Sequence, residues 1–339
     1  MVLTYTRNDA KDWAAQHMKG VCNVTIPTFS ADRTRLNSQA IVHDLNLAKE
    51  KGFWGTLLVS EGGTTVDEMT QFMEIATEAR PPGFRLVLHG SFDHADDLIR
   101  ACNAGVDLGV DAVLLSYPPD FRPTDPQQIV DFTTNIAERT DLGLILFAAS
   151  SWGFRSLDPT GFPMGALEEI CALDTAIALK YECGHPGIAA AMVEAQKRCG
   201  DKVVISDPME FNAPAWVEMF GMQWLGTSGY EYFGDRVPQW FNLLTCGQFE
   251  KGMESYWSCQ PAREARGGLH ASLAGAKLIH RPAWKYMGWL SGFNGGPLRM
   301  PQMRLSPAQM TALRRGLEAS GIPVTDDADE AYYAGRNPA

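Results

Sequence analysis

The sequence predicts an α/β fold: a closed (β/α)8 TIM barrel followed by a C-terminal helical extension. Two observations carry this. Short β-branched or leucine-rich runs alternate with segments of helical period, and there are eight such runs. Several of the runs are also apolar on both faces, as buried parallel strands must be.

The runs are Val21–Pro27, Trp54–Ser60, Arg85–Gly90, Ala112–Tyr117, Gly143–Ala149, Thr175–Lys180, Lys202–Ser206 and Trp224–Ser228. Helical patterns fall between them at Gln39–Lys51, Val66–Arg80, Ala95–Gly109, Pro126–Glu138, Gly165–Leu173, Gly187–Cys199 and Pro214–Phe220. Eight strands favour closure over an open doubly wound sheet. The open sheet also lacks its nucleotide fingerprint. Ser60-Glu61-Gly62-Gly63 does not fit Gly-x-Gly-x-x-Gly, and no Gly-Lys-Ser/Thr phosphate loop occurs.

Beyond the eighth strand, helical patterns over Pro238–Ala265, Leu269–Gly288 and Ser306–Ala319 predict a three-helix extension. Ser306 reads as the N-cap of the last helix, with Pro307 at its first position and Gly321 and Pro323 stopping it. The expected organisation is an N-terminal segment (1–17), the barrel (18–235), the extension (236–324) and a tail (325–339). The tail, acidic and then rich in Gly, Asn and Pro, is expected to fray or to cover a neighbour.

A chain of 339 residues, 45% hydrophobic and 20% charged, buries enough apolar surface to fold without disulfide or metal staples. The net charge of -11, from 29 basic and 40 acidic residues, argues against nucleic acid or an anionic membrane as partner. Met1–Gly20 carries charges throughout, and no run approaches the roughly 18 apolar residues of a membrane span. Seven cysteines without a Cys-x-x-Cys pair read as buried small hydrophobes in a reducing, cytoplasmic setting. The 14 methionines and 9 tryptophans are a surplus of bulky side chains.

Barrel enzymes place their chemistry where strands end. Of ten lysines, only Lys180 stands at the C-terminal end of a predicted strand. A desolvated amine at a barrel mouth favours its neutral form, which attacks ketones to give a Schiff base. The plainer reading is a lysine that snorkels to the rim and pairs with Glu182. Cys183 reads as packing, since no Cys-His-Asn/Asp arrangement is apparent around it.

A set of colinear motifs resembles the dihydrodipicolinate synthase / N-acetylneuraminate lyase family of class I aldolases. They begin with Gly20–Pro27, Gly52-Phe53-Trp54-Gly55 and Ser60–Gly63. Ser116-Tyr117-Pro118 with Pro123-Thr124 follows, then Ala178–Glu182, Ile205-Ser206-Asp207, Gly226-Thr227-Ser228 and Gly296–Pro301. The resemblance spans residues 18 to 322. It implies a Schiff base on Lys180 with no other cofactor, a 2-oxo acid substrate, and a homotetramer or dimer of dimers. It also implies substrate contacts near Ser60, Gly62, Gly63, Phe147, Trp152, Glu182, Ser206 and Ser228.

The departures are informative. Where the family has Gly-Thr-Thr-Gly-Glu, this chain has Ser60-Glu61-Gly62-Gly63-Thr64. The amides of Gly62 and Gly63 can cradle a carboxylate, and Glu61 is either turned away or a proton carrier. Phe147 stands where the family has its proton-shuttling tyrosine, and it has no proton to move. Tyr117, Glu61, Glu182, Ser150 and Ser151 are the candidate replacements. Trp152 takes the approximate place of a substrate-binding arginine, which makes recognition there apolar or stacking, with Arg155 nearby as a partial substitute. Trp152, Phe147, Phe154 and Trp54 suit a bulky, aromatic aldehyde fragment of the benzylidenepyruvate hydratase-aldolase type. Ser60-Glu61 and Phe147 also resemble the 2-oxo-3-deoxy sugar acid dehydratases. A metal-dependent barrel lyase or hydrolase, using His89, Asp93, His94 and His185, is the further alternative, although their spacing matches no ligand motif.

Overall fold

The computed structural model describes residues 3–60, 64–183, 188–273, 281–299 and 304–339. Glu61, Gly62, Gly63, His185, and Met300 and Pro301 of the last motif lie outside them. Eight parallel strands run β1 Gly20–Thr25, β2 Gly55–Leu58, β3 Arg85–Gly90, β4 Ala112–Leu115, β5 Leu144–Ala149, β6 Ala176–Glu182, β7 Val204–Ser206 and β8 Trp224–Gly226. From β1 to β7 each strand pairs with the next, and β8 pairs with β1. The β7–β8 seam is bridged by a side chain: Ser206 Oγ donates to the Gly226 carbonyl at 3.3 Å and accepts from the Gly226 N–H at 3.2 Å. Seven helices fill the crossovers: α2 Ser38–Glu50, α3 Val66–Glu78, α4 Ala95–Leu108, α5 Pro126–Arg139, α6 Met164–Cys171, α7 Ile188–Cys199 and α8 Ala213–Phe220, after an N-terminal α1, Ala10–His17.

Strand residues sort by parity into two cores. Cys22, Val24, Leu57, Val87, Ala112, Leu114, Ile145 and Ala178 fill the barrel interior. Val21, Leu58, Leu86, Leu88, Val113, Leu115, Leu146 and Leu179 pack outward under the helices. The pairing of β5 with β6 shifts register between Leu144 and Ile145, so that Ile177 and Ala178 both join the inner core. Alternation then resumes, which turns Leu179 and Tyr181 outward and leaves Lys180 and Glu182 on the inner side.

The N-terminal residues close the barrel from below. Trp13, Ala14 and Met18 join the interior core. Tyr5 Oη donates to the Asp111 carbonyl at 2.7 Å and accepts from the Gly143 N–H at 2.7 Å, tying the starts of β4 and β5.

The extension differs from expectation. Among the described residues it comprises α9 Arg236–Thr245, α10 Phe249–Ser258, α11 Gln260–Leu273, α12 Arg281–Leu290 and α13 Pro307–Ala319. The run read as one helix over Pro238–Ala265 is broken into three. Gly247 sits at φ 73°, a left-handed conformation that ends α9 and that side chains rarely adopt. The last helix begins as expected: Ser306 Oγ accepts from the Gln309 N–H, and Gln309 answers to the Ser306 N–H. The tail does not fray. Tyr332 is buried, its hydroxyl on the Pro282 carbonyl at 3.0 Å, and Arg336 donates to the carbonyls of Trp289 and Phe293. All cysteines but Cys246 are buried. No helix among the described residues is long and apolar enough to cross a membrane.

Candidate active site

Lys180 is 5% exposed and lies on the inner side of β6, one residue pair across from Phe147 on β5 and Ser206 on β7. Three contacts hold its amine. Nζ donates to the Thr227 carbonyl at 2.9 Å, lies 3.1 Å from Glu182 Oε2, and sits 4.1 Å from the centre of the Phe147 ring. The strand runs on through Glu182, so the i, i+2 relation puts carboxylate and amine on one side. Both readings of Lys180 thus meet in one geometry: the lysine is buried inside the barrel and is also paired with Glu182.

Aromatic side chains form one wall. Trp152 follows β5 in a short 3-10 turn, Ser150–Trp152. Its Nε1 donates to the Phe147 carbonyl at 2.7 Å and its ring meets Phe147 edge-on at 5.4 Å. Phe147 thus meets the lysine directly, while Trp152 reaches it only through Phe147 and also packs on the outer core, edge-on to Tyr117 at 5.9 Å.

Tyr117 does not meet the lysine. It follows Leu115 and Ser116 with outward parity and belongs to the outer core, where Phe121, Phe132, Phe154 and Phe162 surround it. Its hydroxyl is 3.0 Å from Thr133 Oγ1 on α5, and burial pushes the phenol far above its ordinary range. Tyr117 thus packs in the outer core with its hydroxyl at Thr133 on α5, which gives it no contact with Lys180. Phe154 is likewise in that outer core. Trp54 precedes β2 at the opposite end of the barrel, donating to the His17 carbonyl and packing against Trp224, so it lines no part of the site.

The remaining expected contacts are spread out. Ser206 faces inward at the level of Lys180, with its hydroxyl committed to the β7–β8 seam. Ser60 Oγ donates to the Ser91 carbonyl at 3.3 Å. Ser228 lies just past β8, its carbonyl accepting from the Tyr230 N–H. The Cys183 thiol points to the Ala148 carbonyl, and burial pushes it up to about 12, which suits packing.

Two inner-side groups escaped the sequence reading. Ser116 is next to the more conspicuous Tyr117, and the sequence offers His89 only as a metal ligand. His89 Nε2 lies 3.3 Å from Ser116 Oγ. Burial, with the charge of Lys180 adding, pushes its imidazole down to about 3. Among the described residues no group of three or more His, Cys, Asp or Glu side chains is arranged to hold a metal ion.

This geometry can be set beside known structures. A dihydrodipicolinate synthase from Oceanobacillus iheyensis superposes with a TM-score of 0.74 at 17% identity, over 92% of this chain and 99% of that one. The fold is that of the dihydrodipicolinate synthases. An N-acetylneuraminate lyase from Fusobacterium nucleatum gives 0.72 at 16% identity over 91% and 99% of the two chains. PhdJ, captured with a substrate intermediate, gives 0.71 at 16% over 94% and 97%. No protein-family model matches the sequence, and no curated protein matches it by sequence. The dihydrodipicolinate synthase fold is thus retained at an identity that by itself says nothing of substrate.

Proposed function

We propose that the chain is a divergent Schiff-base lyase of the dihydrodipicolinate synthase / N-acetylneuraminate lyase family, acting on a 2-oxo acid and releasing pyruvate and a bulky, aromatic aldehyde. One observation carries this reading: a buried lysine lies two residues before the end of the sixth barrel strand with its amine against Phe147, and Trp152 stands beside that ring. The fold likeness supports it, and so does the place of the lysine at the barrel's catalytic end.

In this mechanism Glu182, at 3.1 Å, accepts the ammonium proton of Lys180. The neutral Nζ adds to C2 of the 2-oxo acid, and loss of water gives an iminium. The C3–C4 bond then breaks and its electron pair passes into the iminium as an enamine. The C4 hydroxyl gives up its proton as the aldehyde forms. Protonation at C3 and hydrolysis return pyruvate and the free amine. Amides of Gly62 and Gly63 are proposed to hold the carboxylate, and Glu61 to carry the C4 proton. Trp152 and Phe147 pack the aryl group. Hydration of a conjugated double bond before cleavage, and assembly as a homotetramer or dimer of dimers, belong to the same proposal.

A substrate screen tests it. Hydroxylated and unsaturated aryl-substituted 2-oxo acids are expected to release pyruvate, in the presence of a chelator, faster than 2-oxo-3-deoxy sugar acids lose water. Dehydration of the sugar acids alone would move the reading to that branch. Loss of all activity on chelation would move it to a metal-dependent lyase or hydrolase.

A further inference from the structure

His89 has no task in the mechanism above, yet it is 4% exposed at the end of β3 on the inner side of the barrel. The parity of β3 places it there: Leu86 and Leu88 pack outward while Val87 packs inward. Its register partner on β4 is Leu114, also inward, and the next inward residue on that strand's path is Ser116. The Ser116 N–H donates to the Gly90 carbonyl at 3.1 Å, so the ends of two adjacent strands fix the pair. Nε2 to Oγ is 3.3 Å, and both residues are buried.

The ring's electrostatics say what it can do. Its imidazole is held down to about 3 by burial and by the Lys180 charge, so it is neutral at any working pH. The strand register brings them to one level: Leu115 pairs with Leu146 and Phe147 with Lys180, so Ser116, one step past Leu115, stands in line with Phe147 and Lys180 on the inner side. A neutral imidazole has one N–H and one lone pair, and a serine hydroxyl can accept from that N–H while donating its own proton onward. A neutral donor also suits this place, because a cationic one would repel the iminium that forms on Lys180. Tyr117 is turned away and Phe147 has nothing to donate.

We infer, resting on the Schiff-base reading of Lys180, that Ser116 donates a hydrogen bond to the ketone oxygen of the 2-oxo acid, and that His89 positions that hydroxyl through Nε2–H on Ser116 Oγ. As Nζ bonds to C2, the carbonyl π pair moves onto oxygen, where the Ser116 hydroxyl meets the growing charge. The proton lost by the nitrogen ends on that oxygen to give the carbinolamine, so neither Ser116 nor His89 changes its proton count.

The test follows the rate at which Lys180 is labelled by pyruvate with cyanoborohydride, read by intact mass over time. His89→Leu and Ser116→Ala are expected to slow labelling about 10²-fold, the size of one lost oxyanion donor, with final labelling complete and melting temperature near that of the wild type. His89→Gln, which keeps an N–H within reach of the Nε2 position, is expected to restore the rate, as is Ser116→Thr. Wild-type labelling rates in His89→Leu and Ser116→Ala would overturn the inference and leave the lysine reading standing. A His89→Gln variant as slow as His89→Leu would overturn the positioning role. If His89→Leu fails to fold, the Ser116→Ala and Ser116→Thr pair decides. Absence of labelling in the wild type would overturn the lysine reading and this inference with it.

Discussion

Two lysines are buried among the described residues, at nearly equal exposure, and their surroundings differ in kind. Lys180, 5% exposed, stands inside the barrel with one carboxylate that is itself a third exposed, one backbone carbonyl and an aromatic face. Lys285, 7% exposed, stands outside the β1 wall on α12, its Nζ 2.5 Å from Thr28 Oγ1 and 3.4 Å from the Pro27 carbonyl. Asp44 and Glu231 share its cavity of about 20 Å3, which is too small for a substrate. Burial drives all three Lys285-cluster groups toward neutrality: the amine is pushed down, and both carboxyls are pushed up. The comparison teaches that burying an amine is not what makes a site. Lys180 is set apart by its place near the C-terminal end of an inner-facing strand and by the carboxylate and aromatic face beside its amine.

Substitutions sharpen the contrast. Lys180→Ala is expected to abolish both pyruvate labelling and turnover, measured by intact mass and pyruvate release. Labelling that persisted, and mapped to Lys285, would reverse the roles of the two lysines. Lys285→Met is expected to leave the labelling rate unchanged and to cost about 1–3 kcal/mol of stability in urea unfolding, because Thr28 Oγ1 and the Pro27 carbonyl lose their buried donor. Glu182→Gln is expected to slow imine formation about 10²-fold, read from the same time course, since the amine loses its proton acceptor.

The smallest effect is a pH dependence. Glu231 gives up its proton near 4.5 when unfolded but only at about 8 in the folded protein, where burial opposes its charge. Between those values the folded state binds the extra proton, so the contribution of Glu231 is largest at low pH and is lost as the pH rises through that window. Urea midpoints at pH 5.5 and 8.0 are expected to fall with pH less steeply in Glu231→Gln than in the wild type.

The barrel was legible because its signal is local. Runs such as Ala112–Leu115 and Leu144–Leu146 are apolar on both faces, and Lys180 breaks such a run at its end. What parity decides was harder to read. Tyr117 and Ser116 are neighbours, and which of them faces inward depends on where β4 stands in the barrel. Trp54 lies beside β2 but at its start, at the opposite end of the barrel from Lys180. The extension failed at Gly247, a helix stop inside an otherwise continuous pattern. The Asp44–Glu231–Lys285 cluster joins three distant parts of the chain, and no local pattern announces it. His89 was visible as a strand-end histidine, while its partner Ser116 emerges only from the β3–β4 register.

Tryptic mapping of the wild-type protein after pyruvate and borohydride treatment tests the central claim most directly. The account predicts a single stable pyruvyl adduct on the peptide that carries Lys180. No mass gain, or an adduct on any other lysine, would contradict it.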